Sequence, residues 1–275
     1  MQCNSIIMIK HFGALMKKKH LKKQVKYLIV GLVIVLVVVV CFVFQPFEKK
    51  QKTTDSTSTV EEMVSEYPYQ TTWNEYHAIN NDYIGTIQFE SGLLELPFVQ
   101  GSDNTTYFHT NWKTMETDDV GSISLDSTNT LEDQNLVLIG HTIDESIDPD
   151  RTQMFSPLSS LINVDNYEAN KSVKLYLENE VREYVIAYVF ECPLIYEEID
   201  GQAYYYSEEG YEFYYENYSE EEFNTYINTI KEHSYYDTGV EISYTDKMLT
   251  LESCVADQDT SRTIVVLKEI NRTEY

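Results

Sequence analysis

The sequence predicts a mainly β domain, either a closed barrel or a sandwich, over most of its 275 residues. From Tyr83 onward, brief apolar or alternating runs are separated by Gly, Asn, Asp and Ser, which is typical of short strands and turns. One late segment, after Ser219, instead has apolar residues at helical spacing. Eight or nine short strands in one domain favour a barrel or a sandwich.

The elements follow one another in a regular order. A capping box that begins at Ser58 or Thr59 predicts a short helix ending before Pro68, and the stretch 72–79 predicts a second helix. A hairpin with its turn at 178–180 is expected within the later strands. The predicted strands are 84–89, 96–99, 107–108, 122–125, 136–140, 173–177, 181–190, 248–251 and 263–267.

The helix predicted between the later strands has a capping box formed by Ser219 and Glu222. Its apolar face consists of Phe223, Tyr226, Ile227 and Ile230. Just before it, residues 204–218 contain seven tyrosines among glutamates. Two interpretations stay open for these rings: an aromatic recognition surface, or amphipathic side chains that cover the barrel with their hydroxyls toward water.

Charge divides the chain into a basic head and an acidic body. Residues 1–52 carry ten Lys and one acid, whereas residues 53–275 carry ten basic and 44 acidic residues. Phosphate binding needs clustered Lys and Arg, so the body excludes a nucleic-acid partner.

The apolar run 27–44 has no charge and no Pro, and eighteen residues at about 1.5 Å each reach about the thickness of the hydrocarbon core. It predicts a membrane-spanning helix rather than a buried core helix or a cleaved signal peptide. Seven lysines precede the run and three closely follow it, which predicts a single-pass protein of the cell membrane with residues 1–26 in the cytoplasm. Residues 45–58 are then a polar stalk, and residues 59–275 form an extracellular domain.

Two cysteines, Cys192 and Cys254, lie in the body at the ends of apolar strand-like runs. Outside the cell such a pair is normally oxidised. The sequence leaves open a disulfide, small buried hydrophobes, or a reactive thiol.

Three residues stand where chemistry is expected. His141 ends the apolar run 136–140, and Cys254 ends the run that starts at Met248. Arg262 opens the last strand, so antiparallel pairing of 248–251 with 263–267 brings it to the same barrel end as the thiol. A nearby cation favours the thiolate that acts as nucleophile. The alternative is a buried Cys with a surface Arg paired to acids.

These residues resemble the sortases, the cysteine transpeptidases of Gram-positive cell surfaces. The resemblance lies in the run 250–254 (TLESC), in Arg262 and in the run 138–141 (LIGH). Further residues resemble class B sortases in order and spacing, so that the resemblance covers roughly residues 60–270. They are 82–87, 97–100 followed by 103–104 and 107, 121–126 and 154–155.

The resemblance implies an eight-stranded barrel with N-terminal helices and a helix inserted between late strands. It implies that Cys254 cleaves a C-terminal sorting signal of the Asn-Pro-x-Thr type after Thr, through a thioacyl enzyme. A peptidoglycan precursor amine then accepts the surface protein. His141 would be the general acid and base, and Arg262 would bind substrate and stabilise oxyanion charge. No cofactor is implied.

Two departures from the family pattern concern the surroundings of the site. Glu252 and Ser253 replace the usual small residue and Thr, and Ser253, Thr250 and Glu252 are candidate substrate-binding residues. An inward Glu252 raises the thiol pKa, so we expect mostly protonated Cys254 at neutral pH. The acidic loop 142–151 suggests either calcium ligands or, preferably, a solvated loop, and no metal site is predicted.

Two other functions fit the same barrel. One is a cysteine peptidase that mainly hydrolyses its substrate. The other is a catalytically silent surface-binding module that uses the Tyr-rich segment to hold a partner.

Overall fold

The computed structural model describes the backbone of residues 67–199, 202–207, 216–255 and 258–275. Side chains are described for residues 67–193, 216–253 and 261–275. The chain divides into two units, Met1–Glu61 and Glu62–Tyr275, and every described residue belongs to the second.

Nine strands are present in the described residues, and eight of them close into a barrel. The ring order is β5-β1-β2-β3-β4-β8-β9-β6, closed by the pairing of β6 with β5, while β7 extends the sheet beyond β6. The mainly β fold and the closed eight-stranded barrel predicted from the sequence are confirmed. The strands are β1 (Tyr83–Phe89), β2 (Glu95–Val99), β3 (Ile123–Leu125), β4 (Asn135–Gly140), β5 (Ser172–Tyr176), β6 (Glu180–Ile199), β7 (Gln202–Ser207), β8 (Met248–Val255) and β9 (Gln258–Glu274).

Two pairings within this barrel are parallel, β2 with β3 and β4 with β8, and the others are antiparallel. The parallel pairing of β4 with β8 matters for function, because parallel neighbours end at the same edge of a sheet. The hairpin expected around residues 178–180 is present as β5 and β6.

Three α-helices lie among the described residues: α1 (Gln70–Ile79), α2 (Tyr167–Asn170) and α3 (Glu220–His233). Helix α3 begins as the sequence predicts, since the Glu222 amide donates to Ser219 Oγ and the Ser219 amide donates to the Glu222 carboxylate. Three 3₁₀ helices connect the strands, at Thr106–His109, Ser156–Ile162 and Val164–Asn166.

Most of the buried apolar side chains form two layers. Alternating residues of the strands, among them Leu138, Leu251 and Val265, fill the barrel interior. The opposite faces of β6, β8 and β9 pack against α3 through Phe190, Ile264 and the buried face of the helix. This second layer fixes the outer surface of the strands that lead to the candidate site.

Three local predictions differ from the structure, and one of them is the last strand, predicted as 263–267 and observed as Gln258–Glu274. The predicted strand at 107–108 is the 3₁₀ helix Thr106–His109, because the Asp103 carboxylate accepts the amides of Thr105 and Thr106, at 2.8 and 2.7 Å, and nucleates a tight turn. Strand β6, predicted to end at 190, continues to Ile199 and forms a hairpin with β7.

Strand β7 of this hairpin includes residues 204–207, the start of the Tyr-rich segment. At the other end of that segment, Tyr218 is buried and stacks on Tyr226 of α3, with ring centroids 5.1 Å apart. For this tyrosine the structure favours packing over exposure.

Several predictions lie outside the described residues: the basic segment 1–26, the span 27–44, the stalk 45–58 and the helix that begins at Ser58 or Thr59. Across residues 67–199, 202–207, 216–255 and 258–275, none of the helices has the length and apolar character needed to cross a bilayer. The longest of them, α3, has 14 residues and measures about 21 Å, short of the ~30 Å hydrocarbon core. The predicted localisation, a single-pass membrane protein with an extracellular domain, is corrected accordingly.

Candidate active site

Strands β4 and β8 bring His141 and Cys254 to neighbouring positions. Gly140 is the register partner of Ser253 in this parallel pair, so the residues that follow each of them leave the sheet side by side. Neighbouring strands lie about 4.8 Å apart.

Strand β9 adds Arg262 on the other side of the cysteine. The antiparallel pairing of β8 with β9 makes Cys254 and Arg262 register partners, as expected from the sequence. Position 141 therefore follows β4, position 254 lies on β8 and position 262 on β9, in one row across three adjacent strands.

The alternation of each strand also places these positions on one face. Leu249 and Leu251 point into the barrel, as do Val265 and Leu267 on β9. Positions 252, 254 and 262 have the opposite parity and fall on the outer face of the sheet. The candidate site is therefore on the outer surface of the barrel, at the end where β4 and β8 finish.

The imidazole of His141 is half-buried and held by the 3₁₀ helix Thr106–His109. Its Nε2 lies 2.6 Å from the carbonyl oxygen of Phe108, and the centroids of the His141 and Phe108 rings are 3.8 Å apart. A carbonyl oxygen only accepts, so Nε2 is the donor and carries the proton in the neutral ring.

Burial lowers the pKa of His141 below its usual value, because the charged imidazolium loses hydration. The hydrogen bond to Phe108 raises the pKa of His141, while its electrostatic interactions with His109 and Arg262 lower that pKa further. The neutral ring is thus favoured near neutral pH.

Arg262 forms an ion pair with Glu252 on the adjacent strand. Its Nε lies 3.3 Å from Glu252 Oε1, and the side chains are 16% and 4% exposed. Its Nη1 also donates to the carbonyl of Ser261 at 3.1 Å. The buried carboxylate therefore orients the guanidinium and offsets its charge.

Ser253 and Thr250, predicted with Glu252 as substrate-binding residues, lie outside the row formed by positions 141, 254 and 262. Ser253 is buried, and its hydroxyl is 2.5 Å from Thr142 Oγ1. Thr250 is also buried and donates to Asn135 Oδ1 at 2.9 Å. Both hydroxyls are used inside the protein, and neither joins the row formed by positions 141, 254 and 262.

Sequence reasoning missed the residues around the imidazole. His109, which nothing in the sequence singles out, is exposed and has its ring centroid 5.5 Å from that of His141. Phe108 contributes a main-chain oxygen, which residue identity does not reveal. The signal that was present is Asp103-Asn104 followed by two threonines, a pattern that favours a turn over a strand.

The acidic loop after His141 uses its carboxylates to hold its own backbone. Asp148 is buried and accepts the amides of Thr152 and Gln153, at 3.0 and 2.8 Å. Asp144 accepts the Ser146 amide at 2.7 Å. Within the described part of the chain, no group of three or more His, Cys, Asp or Glu residues could hold a metal ion.

Cys192 lies on β6, on the far side of Arg262, and is not in a disulfide. Because β9 lies between Cys192 and Cys254, their Cα atoms are separated by two strand spacings, about 9.6 Å, beyond the reach of a disulfide. Cys192 packs in the apolar layer beneath α3. Of the interpretations left open by the sequence, the buried hydrophobe describes this residue.

The chain is similar to sortase B proteins in sequence and in structure. It is 26% identical over 195 residues to Sortase B of Listeria monocytogenes, covering 69% of this chain and 70% of that protein. It is 25% identical over 195 residues to Sortase B of Staphylococcus aureus, covering 70% and 71% of the two proteins. The crystal structure of Clostridium perfringens sortase B superimposes with a TM-score of 0.57 at 28% identity, covering 72% of this chain and 99% of that one. No family model matches the chain.

Proposed function

We propose, starting from the class B sortase assignment that these relatives support, that the chain is a cysteine transpeptidase whose nucleophile is Cys254. One observation carries the assignment of roles: the strand registers put positions 141, 254 and 262 in one row on the outer face of the barrel. A thiol with a base on one side and a cation on the other suits acyl transfer by a cysteine.

In the first half-reaction His141 takes the proton of the Cys254 thiol, and the resulting thiolate attacks the carbonyl carbon after the Thr of an Asn-Pro-x-Thr sorting signal. A C–S bond forms and the C–N bond breaks, leaving a thioacyl enzyme. His141 gives a proton to the leaving amine, so that it departs as a neutral group. The substrate is a surface protein that bears this signal at its C-terminus.

In the second half-reaction an amine of a peptidoglycan precursor attacks the thioester. A new C–N bond forms, the C–S bond breaks, and His141 takes the proton of the incoming amine. The lowered pKa of His141 suits this step, because the neutral ring that acts as base is the favoured form.

Arg262 is proposed to stabilise the oxyanion of both tetrahedral intermediates. A fixed cation in a partly dry site needs little reorganisation when charge develops. Its ion pair with the buried Glu252 supports a fixed orientation. The substrate-binding roles expected for Ser253, Thr250 and Glu252 stay predictions.

The test is turnover of an Asn-Pro-x-Thr peptide by the full chain, with and without triglycine as the amine. We expect amide product only when triglycine is present, no product with Cys254→Ala, and product with the matched control Cys192→Ala. Equal activity in wild type and Cys254→Ala would refute the assignment of the nucleophile.

The two alternatives predict different results in the same assay. A hydrolytic peptidase would give the free acid at the same rate with and without triglycine. A silent binding module would give no product, and its Cys254 would be alkylated no faster than a peptide thiol, with no effect of His141→Ala.

A further inference from the structure

The bond between His141 and Phe108 defines which imidazole nitrogen is available for proton transfer. Nε2 donates its proton to the Phe108 carbonyl at 2.6 Å. In the neutral ring only one nitrogen carries a proton, so Nδ1 holds the lone pair. The position of one main-chain oxygen therefore selects the tautomer.

That oxygen is held in place by the turn that ends at Ser122. The Ser122 amide donates to the Tyr107 carbonyl at 3.0 Å, and the Asp118 amide donates to the His109 carbonyl at 3.0 Å. The carbonyl of Phe108, between these two bonds, projects over Gly121.

Gly121 allows this approach in two ways. Its φ of +64° is in the left-handed region that favours glycine. A Cβ at this position would lie 2.3 Å from the Phe108 oxygen and 2.9 Å from its carbonyl carbon. Any side chain here must displace the oxygen that accepts the hydrogen bond of His141 Nε2–H.

We propose that Gly121 is a positioning residue which, through the Phe108 carbonyl, fixes His141 as its Nε2–H tautomer and makes Nδ1 the nitrogen that exchanges protons in the reaction. This inference rests on the proposed function of His141. Nδ1 takes the proton of the Cys254 thiol to give the imidazolium, with Nε2–H still hydrogen-bonded to Phe108, and then gives that proton to the leaving amine. Nε2 keeps its proton throughout.

The matched control is Gly239→Ala. Gly239 has a similar φ of +73°, but no atom lies within 4 Å of the place where its Cβ would be. Both substitutions impose the same kind of backbone strain. Only Gly121→Ala also displaces the Phe108 carbonyl.

The experiment measures long-range ¹H–¹⁵N correlations of the imidazole in the full chain above pH 7, with the His141 signals identified from their loss in His141→Gln. We expect a single Nε2–H tautomer in wild type and in Gly239→Ala. Gly121→Ala should show a mixture of tautomers and a 10- to 100-fold lower kcat, with the KM for the peptide within twofold of wild type.

An Nδ1–H tautomer in the wild-type spectrum overturns the inference, whatever the fate of the variant, and so this measurement serves even if Gly121→Ala does not fold. A folded Gly121→Ala protein with wild-type tautomer and kcat also overturns it. The spectra do not depend on turnover. An Nε2–H spectrum without amide product would instead count against the proposed function.

Discussion

Replacing Glu252 by Gln keeps the side-chain shape and removes the carboxylate that pairs with Arg262. Removing one partner of a buried ion pair costs about 3–5 kcal/mol, whereas exposed pairs contribute ~1 kcal/mol or less. This pair lies between those limits, with the carboxylate 4% and the guanidinium 16% exposed. We therefore expect Glu252→Gln to lower the free energy of unfolding by about 2 kcal/mol.

The same substitution should make the thiol of Cys254 more acidic. Two residues along a strand span about 6.8 Å, and at an effective dielectric constant of about 20 two unit charges at that distance interact by about 2 kcal/mol. One pKa unit corresponds to about 1.4 kcal/mol. After solvent screening we expect the pKa of Cys254 to fall by about one unit, from a wild-type midpoint at or above about 7.

The assay is the pH dependence of Cys254 alkylation by iodoacetamide in the full chain, followed on the Cys254 peptide by mass spectrometry, together with urea unfolding. Glu168→Gln is the control, because Glu168 forms an exposed pair with Lys171 at 2.7 Å. Glu168→Gln should change neither the pH midpoint of Cys254 alkylation nor the free energy of unfolding appreciably. An unchanged or raised midpoint in Glu252→Gln would show that Glu252 does not oppose the thiolate, and a wild-type midpoint clearly below 7 would contradict the expected protonated resting state.

Three further substitutions test the packing and titration described above. Gly140→Ala would place a Cβ 2.3 Å from the side chain of Ile123 and 2.7 Å from that of Phe155. We expect it to lower the free energy of unfolding, measured in urea, by about 1–3 kcal/mol, and a loss under about 0.5 kcal/mol would contradict the tight contact. Because burial puts the pKa of folded His141 below its unfolded value, the unfolded chain binds the proton first, so stability should fall as pH drops through about 6.5 and level off below the folded pKa. His141→Gln should remove that part of the pH dependence, and identical slopes in urea midpoints from pH 7.5 to 5.5 would refute it. Ser219→Ala removes the cap of α3 and should cost about 1 kcal/mol in urea unfolding, whereas Thr225→Ala further along the helix should cost less.

Much of the fold follows from periodicity that the sequence displays. The run before Cys254 is apolar because β8 is covered on one face by the barrel interior and on the other by the layer beneath α3. The run before His141 is apolar because Leu136 and Leu138 fill the barrel interior and Val137, on the opposite face of β4, is also buried. The cap and the apolar face of helix α3 are both predicted by residues within the segment itself. These elements could be predicted without tertiary information.

The immediate surroundings of the imidazole could not be predicted in the same way. The acceptor for Nε2 is a main-chain oxygen, and Phe108 would supply it whatever its side chain. Its location depends on a turn at Gly121 and on strand order, which local patterns do not encode. Likewise, the ion pair of Glu252 with Arg262 follows only once the register of β8 with β9 is known.

The parallel pairing of β4 with β8 has a consequence for how the protein becomes competent. Thr142 and Ser253, whose hydroxyls meet beside the candidate site, are 111 positions apart in the chain. Contacts this remote in sequence form slowly, because the intervening segment must lose conformational freedom before they are made. His141 and Cys254 are therefore expected to come together only when the barrel closes. In partly folded chains the cysteine then has no neighbouring base, so premature acylation is avoided during folding.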